Sequence, residues 1–147
     1  MKVKVQSIAR QKAGNAGMEE LFAGEVNVDV GLQGNSSASC AAGEVIVLSK
    51  ESWVKVLHET ERELPWLMHG ANLLLKGFEF LPTDVGRTLR IGEAVLEITR
   101  ESDPVFHLKE EAPDIFEALQ QGWRGGVVCK VLRSGDIQTG DEVAIIG

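Results

Sequence analysis

Apolar residues in this chain come in short runs broken by glycine and polar positions, and several of those runs alternate strictly. Val26, Val28 and Val30 fall on one side of an extended chain and Glu25, Asn27 and Asp29 on the other, the period-2 pattern of a half-buried strand. Lys2 to Ile8 alternates likewise, with Val3, Val5 and Ser7 on one face, and Gly14, Asn15 and Gly17 punctuate a turn after it. Glu44 to Leu48 is instead a continuous apolar run, which predicts a central strand covered on both faces. Ala71 to Leu75 predicts another strand, Leu81 to Gly86 a loop, and Thr88 to Ile91 with Ala94 to Thr99 a hairpin turning at Gly92-Glu93. Val127 to Leu132, a Ser134-Gly135-Asp136 turn and Glu142 to Ile146 close the chain.

Helix signals are fewer. Ser49 has the character of an N-cap, with Glu51 in the first turn. Trp53, Val56, Leu57 and Thr60 follow at helical spacing, and Glu51 and Lys55 make a favourable i,i+4 pair. Pro65 is predicted to end that helix. Pro113 suits a first helical position, with Ile115, Phe116 and Leu119 on one face until Gly122. About eight short strands with two or three short helices predict a mainly β protein, a small, closed, mostly antiparallel barrel, with residues 1–147 forming a single domain.

Composition narrows the partners. A chain of 147 residues buries roughly two-thirds of its surface on folding. With 44% hydrophobic and 25% charged residues its usage is that of a globular domain. A net charge of −7 gives no counterion-release drive toward nucleic acid, so DNA and RNA are not expected partners. The longest apolar runs, Val45–Leu48 and Val143–Ile146, are too short to span a bilayer, so no membrane partner is expected. Two cysteines do not make a disulfide framework, and no apolar stretch follows the basic start MKVKVQSIAR. The expected setting is the cytoplasm.

Stock catalytic signatures are missing. Neither a Gly-x-Gly-x-x-Gly turn nor a Gly-x-x-x-x-Gly-Lys-Ser/Thr loop occurs, and there is no Gly-x-Ser-x-Gly elbow. His58, His69 and His107 lack zinc-site spacing, so no metal ligand is assigned and each reads as a surface or satisfied core histidine.

Three phrases in order carry more information: Gly70-Ala71-Asn72-Leu73-Leu74, then LPTDVGRTLRIGEAVLEIT (Leu81 to Thr99), then WRGGVVCKVLRSGDIQTGDEV (Trp123 to Val143). Together they resemble the MOSC domain, found at the C-terminus of molybdenum-cofactor sulfurases and as stand-alone bacterial proteins. The resemblance implies a mostly antiparallel β-barrel and binding of a molybdopterin-type cofactor (the molybdenum cofactor) or another anionic small ligand. It also implies a possible sulfur-carrier role in molybdenum-enzyme metabolism. Any catalysis would be cofactor-linked sulfur transfer or a reductase-associated activity, and a molybdenum enzyme would be the protein partner. Pyridoxal phosphate is associated with the family mainly through a separate desulfurase domain, and this chain has no lysine in a recognisable Schiff-base motif, so it is not expected to use that cofactor. Against the family pattern, Ala71 stands where many relatives have Glu, and the segment Gly31 to Ser39 lacks their Asp and His. Val105 occupies the place of a cysteine proposed to carry sulfur.

A valine holds no sulfur, so sulfur handling falls to Cys40 or Cys129. Cys129 alternates with Val127 and Val131, opposite Lys130, and reads as a buried packing residue. Cys40 sits in a small-residue loop and needs a nearby cation to become reactive. Arg124 before Gly125-Gly126 is read in two ways: a bidentate partner for a phosphate or carboxylate beside bare backbone, or a structural residue at a strand start. Asn72 either orients a ligand or satisfies a turn. Gln33, Asn35, Ser36 and Ser37 form a polar loop able to donate hydrogen bonds to an anion, or a solvated connection. The proposed cleft joins that loop to Asn72, His107 and Arg124. Two other readings stand beside it: a degenerate, non-catalytic MOSC barrel serving as an interaction or assembly module, and a hydrolase or transferase using Glu101 or Asp103.

Overall fold

The computed structural model describes residues 2–15, 17–36, 41–103 and 106–147. Seven strands close on themselves: β1 (Val3–Gln11), β11 (Glu142–Ile146), β7 (Thr88–Ile91), β8 (Ala94–Glu101), β9 (Val127–Arg133), β5 (Glu44–Ser49) and β6 (Leu73–Lys76), with β6 returning to β1. Closure is made by Val3 opposite Val143 and by Ile8 opposite Leu73. All neighbours are antiparallel except β5 and β6, which run parallel and are linked by α1 (Lys50–Thr60). The barrel is therefore mixed, because a parallel pair requires a crossover and the helix supplies it. β2 (Met18–Leu21) extends the sheet beyond β1, and β10 (Gly135–Gln138), β3 (Ala23–Asn27) and β4 (Gly31–Leu32) form a separate ribbon. The helices α2 (Phe106–Glu111) and α3 (Pro113–Leu119) complete the fold. No described helix is long and apolar enough to cross a membrane.

Two cores explain the unbroken apolar runs. Val45 and Val47 point into the barrel, while Ile46 and Leu48 face the helices. Leu73 and Leu75 line the interior while Leu74 packs outward, and Val127, Cys129 and Val131 oppose Val128 in the same way. Strands covered on both faces lose the polar half of their alternation.

Several sequence expectations are corrected. The face Val3-Val5-Ser7 breaks at a bulge between Val5 and Ser7, which turns Ile8 rather than Ser7 into the core. β3 ends at Asn27, so Val28 and Val30 are exposed in a turn rather than buried in a strand. Asn27 Oδ1 accepts from Asp29 N (2.7 Å) and Ser134 Oγ from Val28 N (3.0 Å), taking up the donors that a longer ladder would use. Ser49 does cap α1, accepting from Ser52 N at 3.2 Å. The helix stops well before Pro65, at Glu61 in a left-handed conformation (φ 54°) with Arg62 N bonded to Leu57 O (3.0 Å). Glu51 and Lys55 do not pair: Glu51 accepts from Gly77 N (2.8 Å) and Lys55 reaches Glu79 (2.8 Å). Gly135 and Asp136, expected in a turn after Ser134, open the strand β10, and β6 begins at Leu73, two residues later than expected.

Candidate functional site

The polar loop after β4 is held in a defined shape. Gly31 (φ 86°) lies against Glu44 O, an approach only glycine permits. Gln33 N donates to Glu25 O (2.9 Å) and Asn35 N to Leu32 O (3.1 Å). Asn35 Oδ1 accepts from Gln11 N (2.8 Å) while Ser36 N donates to Gln11 O (3.0 Å), a reciprocal pair that ties the loop to the end of β1. Arg10 lies alongside: its Nη1 packs where a side chain on Gly34 would be and donates to Gln33 O (3.4 Å), while its Nε bonds Glu19 (2.8 Å). Asn35 Nδ2 has no partner among the described residues, and Gln33 and Ser36 are exposed. Amide, hydroxyl and guanidinium donors thus converge on one loop, a donor set that suits a phosphate or a pterin ring edge. Ser37, Cys40 and the side chain of His107 lie outside the described residues.

Arg124, Gly125, Gly126 and Asn72 are bonded to other partners within the fold. Arg124 donates from Nη2 to Ala118 O (2.8 Å), from Nε to Gln121 O (3.1 Å) and from Nη1 to Glu59 (2.7 Å). It caps the C-terminal carbonyls of α3, where a cation is favoured, and ties that helix to α1. Gly126 (φ 89°) presses on β5, where a Cβ would lie 2.5 Å from Val47 O, and one on Gly125 would lie 3.2 Å from Leu119 O. The close approach foreseen at these glycines is to the protein's own backbone. Asn72 is buried and joins three strands: Oδ1 accepts from Ile46 N (3.0 Å) and Nδ2 donates to Ala9 O (3.3 Å), beside backbone bonds to the same two residues. No hydrogen bond or ion pair among the described residues links this group to the loop at 31–36.

Cys129 is wholly buried inside the barrel, and that burial pushes its thiol far above the ordinary cysteine range. The thiolate needed for sulfur chemistry is thereby suppressed. Burial raises the Glu101 carboxyl first and the nearby Asp103 charge adds to it. Neither side chain is hydrogen-bonded to another side chain among the described residues. His69 is buried, its Nε2–H donates to Gly125 O (2.8 Å) and its ring makes a T-shaped contact with Trp53. Burial lowers its pKa to about 4, the Gly125 bond opposing.

Sequence reasoning missed Arg10 and Trp123. Arg10 lies two residues beyond the predicted strand Lys2–Ile8, within the longer β1 of the structure, and gains its meaning only from β2 and the loop. Trp123 adopts a left-handed backbone (φ 60°) and packs half-buried against the barrel interior, a strained setting for a bulky residue that no local pattern announces.

The family model described as the MOSC domain matches residues 35–144. Among solved structures, the YuaD protein of Bacillus subtilis superposes with a TM-score of 0.81 at 16% identity, covering 99% of this chain and 96% of that one. YiiM from Geobacillus stearothermophilus gives 0.71 at 19% identity, covering 99% and 75% respectively. YiiM from Escherichia coli gives 0.67 at 17%, covering 100% and 70%. These likenesses are of fold. No curated protein matches in sequence.

Proposed function

Because the chain belongs to the MOSC domain family, we propose that it binds a small anionic ligand of the molybdopterin type at the loop spanning residues 31–36 beside Arg10. One observation carries this reading. The reciprocal Asn35–Ser36–Gln11 bonds hold the loop in place, Arg10 Nη1 reaches it at Gln33 O, and Asn35 Nδ2, the Gln33 amide and the Ser36 hydroxyl make no hydrogen bond among the described residues. A loop already ordered loses little entropy on binding. Arg10 would meet the anionic group of the ligand, and Glu19 acts as its positioning residue by fixing the guanidinium plane. Sulfur transfer is not routed through Cys129, whose burial opposes the thiolate; Cys40 is the remaining sulfur candidate.

A second reading, the non-catalytic interaction or assembly module, is favoured by a separate observation. Arg124, Asn72 and Gly125-Gly126 spend their bonding capacity on the fold itself.

The test is retention of molybdopterin released from a molybdenum enzyme, read as pterin fluorescence after gel filtration and oxidation. Wild type and Arg124→Ala are expected to retain it and Arg10→Ala to lose it. Equal retention by Arg10→Ala would move the site elsewhere. Retention by none of the three above a non-binding control would leave the module reading.

A further inference from the structure

We infer that the trough between the β3–β10 ribbon and the β7–β8 hairpin is a docking groove for an extended, lysine- or arginine-rich segment of a partner protein. The trough is open and encloses about 890 Å³. Gly24, Gly92 and Gly135 are among its lining residues, and Glu25, Glu93, Asp136 and Asp141 stand along it. No lysine, arginine or histidine lines it. Every ion pair among the described residues lies elsewhere, so these four carboxylates face the trough without a cation. Only Asp141 has a local bond, from Gln138 N at 2.9 Å.

The backbone adds a second feature. β10 is the outermost strand of its ribbon and pairs only with β3. Thr139 N donates to Phe22 O (2.9 Å), which sets the phase of the ladder: Ile137 and Gly135 turn their polar groups toward β3. The N–H and C=O of Asp136, between them, point away from β3. An extended peptide can bond both groups at once while its alternate side chains reach the carboxylates. A metal ion meets neither requirement, since no three acidic, histidine or cysteine side chains among the described residues are grouped to hold one. A polyamine has cations but no carbonyl to accept from the Asp136 N–H. Charge complementarity therefore selects a cationic partner, and the unpaired backbone selects a peptide. This inference does not rest on the ligand reading above, which uses other side chains.

Fluorescence anisotropy of a short labelled peptide alternating lysine with threonine, against the full-length protein, tests it. The triple substitution Glu25→Gln, Glu93→Gln, Asp136→Asn is compared with Glu110→Gln, Glu111→Gln, Glu117→Gln, an equal charge change on the exposed helix surface. Binding is expected to weaken about tenfold in the first variant and to hold in the second. The Asp136 amide is expected to shift and gain exchange protection in NMR. Equal weakening in both variants would reduce the effect to general charge attraction and overturn the proposal. So would the absence of binding above a glutamate–threonine control peptide. Competition by spermidine as effective as by unlabelled peptide at equal charge would overturn the peptide assignment.

Discussion

His69 carries the clearest titration signature of any single residue. Its folded pKa of about 4 lies below the ordinary 6.5, so the unfolded chain binds the extra proton between those values. Stability is fully present above about pH 6.5 and falls as pH drops toward 4, by about 3 kcal/mol at the lower end. Urea denaturation across that window should show the fall, and His69→Gln, which keeps a donor for Gly125 O, should flatten it. The neutral Nε2–H form leaves Nδ1 as an unpartnered acceptor, which needs no proton to stay buried. Cys129 gives a second residue-level expectation. In a Cys40→Ser variant the remaining thiol should stay inert to a disulfide reagent until the protein is unfolded, since Cys129 is fully enclosed. Cys129→Ser should destabilise by about 1–3 kcal/mol, because a hydroxyl there finds no partner. The thiol's placement was legible in the sequence: alternation with Val127 and Val131 against Lys130 is enough to turn it inward.

At the scale of elements, the caps and crossings hold the helix layer on the barrel. Ser49→Ala should cost about 1 kcal/mol, read as a lower urea midpoint, because Ser52 N loses its acceptor. Gly126→Ala is a harsher change: φ of 89° disfavours any side chain and the new Cβ meets Val47 O at 2.5 Å. It should lower stability by several kcal/mol, measured the same way. The N-cap and the Gly92-Glu93 hairpin could be read from sequence because their determinants lie within a few residues of each other. The end of α1 could not, because Glu61 supplies a left-handed cap that Pro65 overshadows in the sequence. The strand β10 was hidden for a different reason. Gly135 and Asp136 have turn propensity, and pairing with the distant β3 overrides it.

For the whole molecule, closure is the decisive event. β1 and β11 are far apart in sequence, yet Val3 opposite Val143 completes the ring. Removing residues 142–147 should abolish cooperative unfolding, followed by circular dichroism in urea, because β1 and β7 would both gain an open edge. A variant that still unfolds in one sharp transition would show that closure is dispensable. Contacts of such long sequence separation also set the expectation of slow folding relative to a helical bundle of this size.

Strand periodicity and a capped helix were sufficient, in the sequence by itself, to predict a small closed β-barrel, and three ordered phrases carried its resemblance to the MOSC family. Those are local signals, and a strand's buried face follows from its own alternation. Only the tertiary structure decided which polar residues are spent and which remain free. Arg124 and Asn72 were each open in the sequence to a ligand reading or a structural one, and in the fold α3, β5 and β1 claim their bonds. Arg10, an ordinary residue in a strand, gains its setting from Glu19 and the loop at 31–36. Hydrogen-bond satisfaction is a property of what surrounds a group in space, and the chain brings those surroundings from segments remote in sequence.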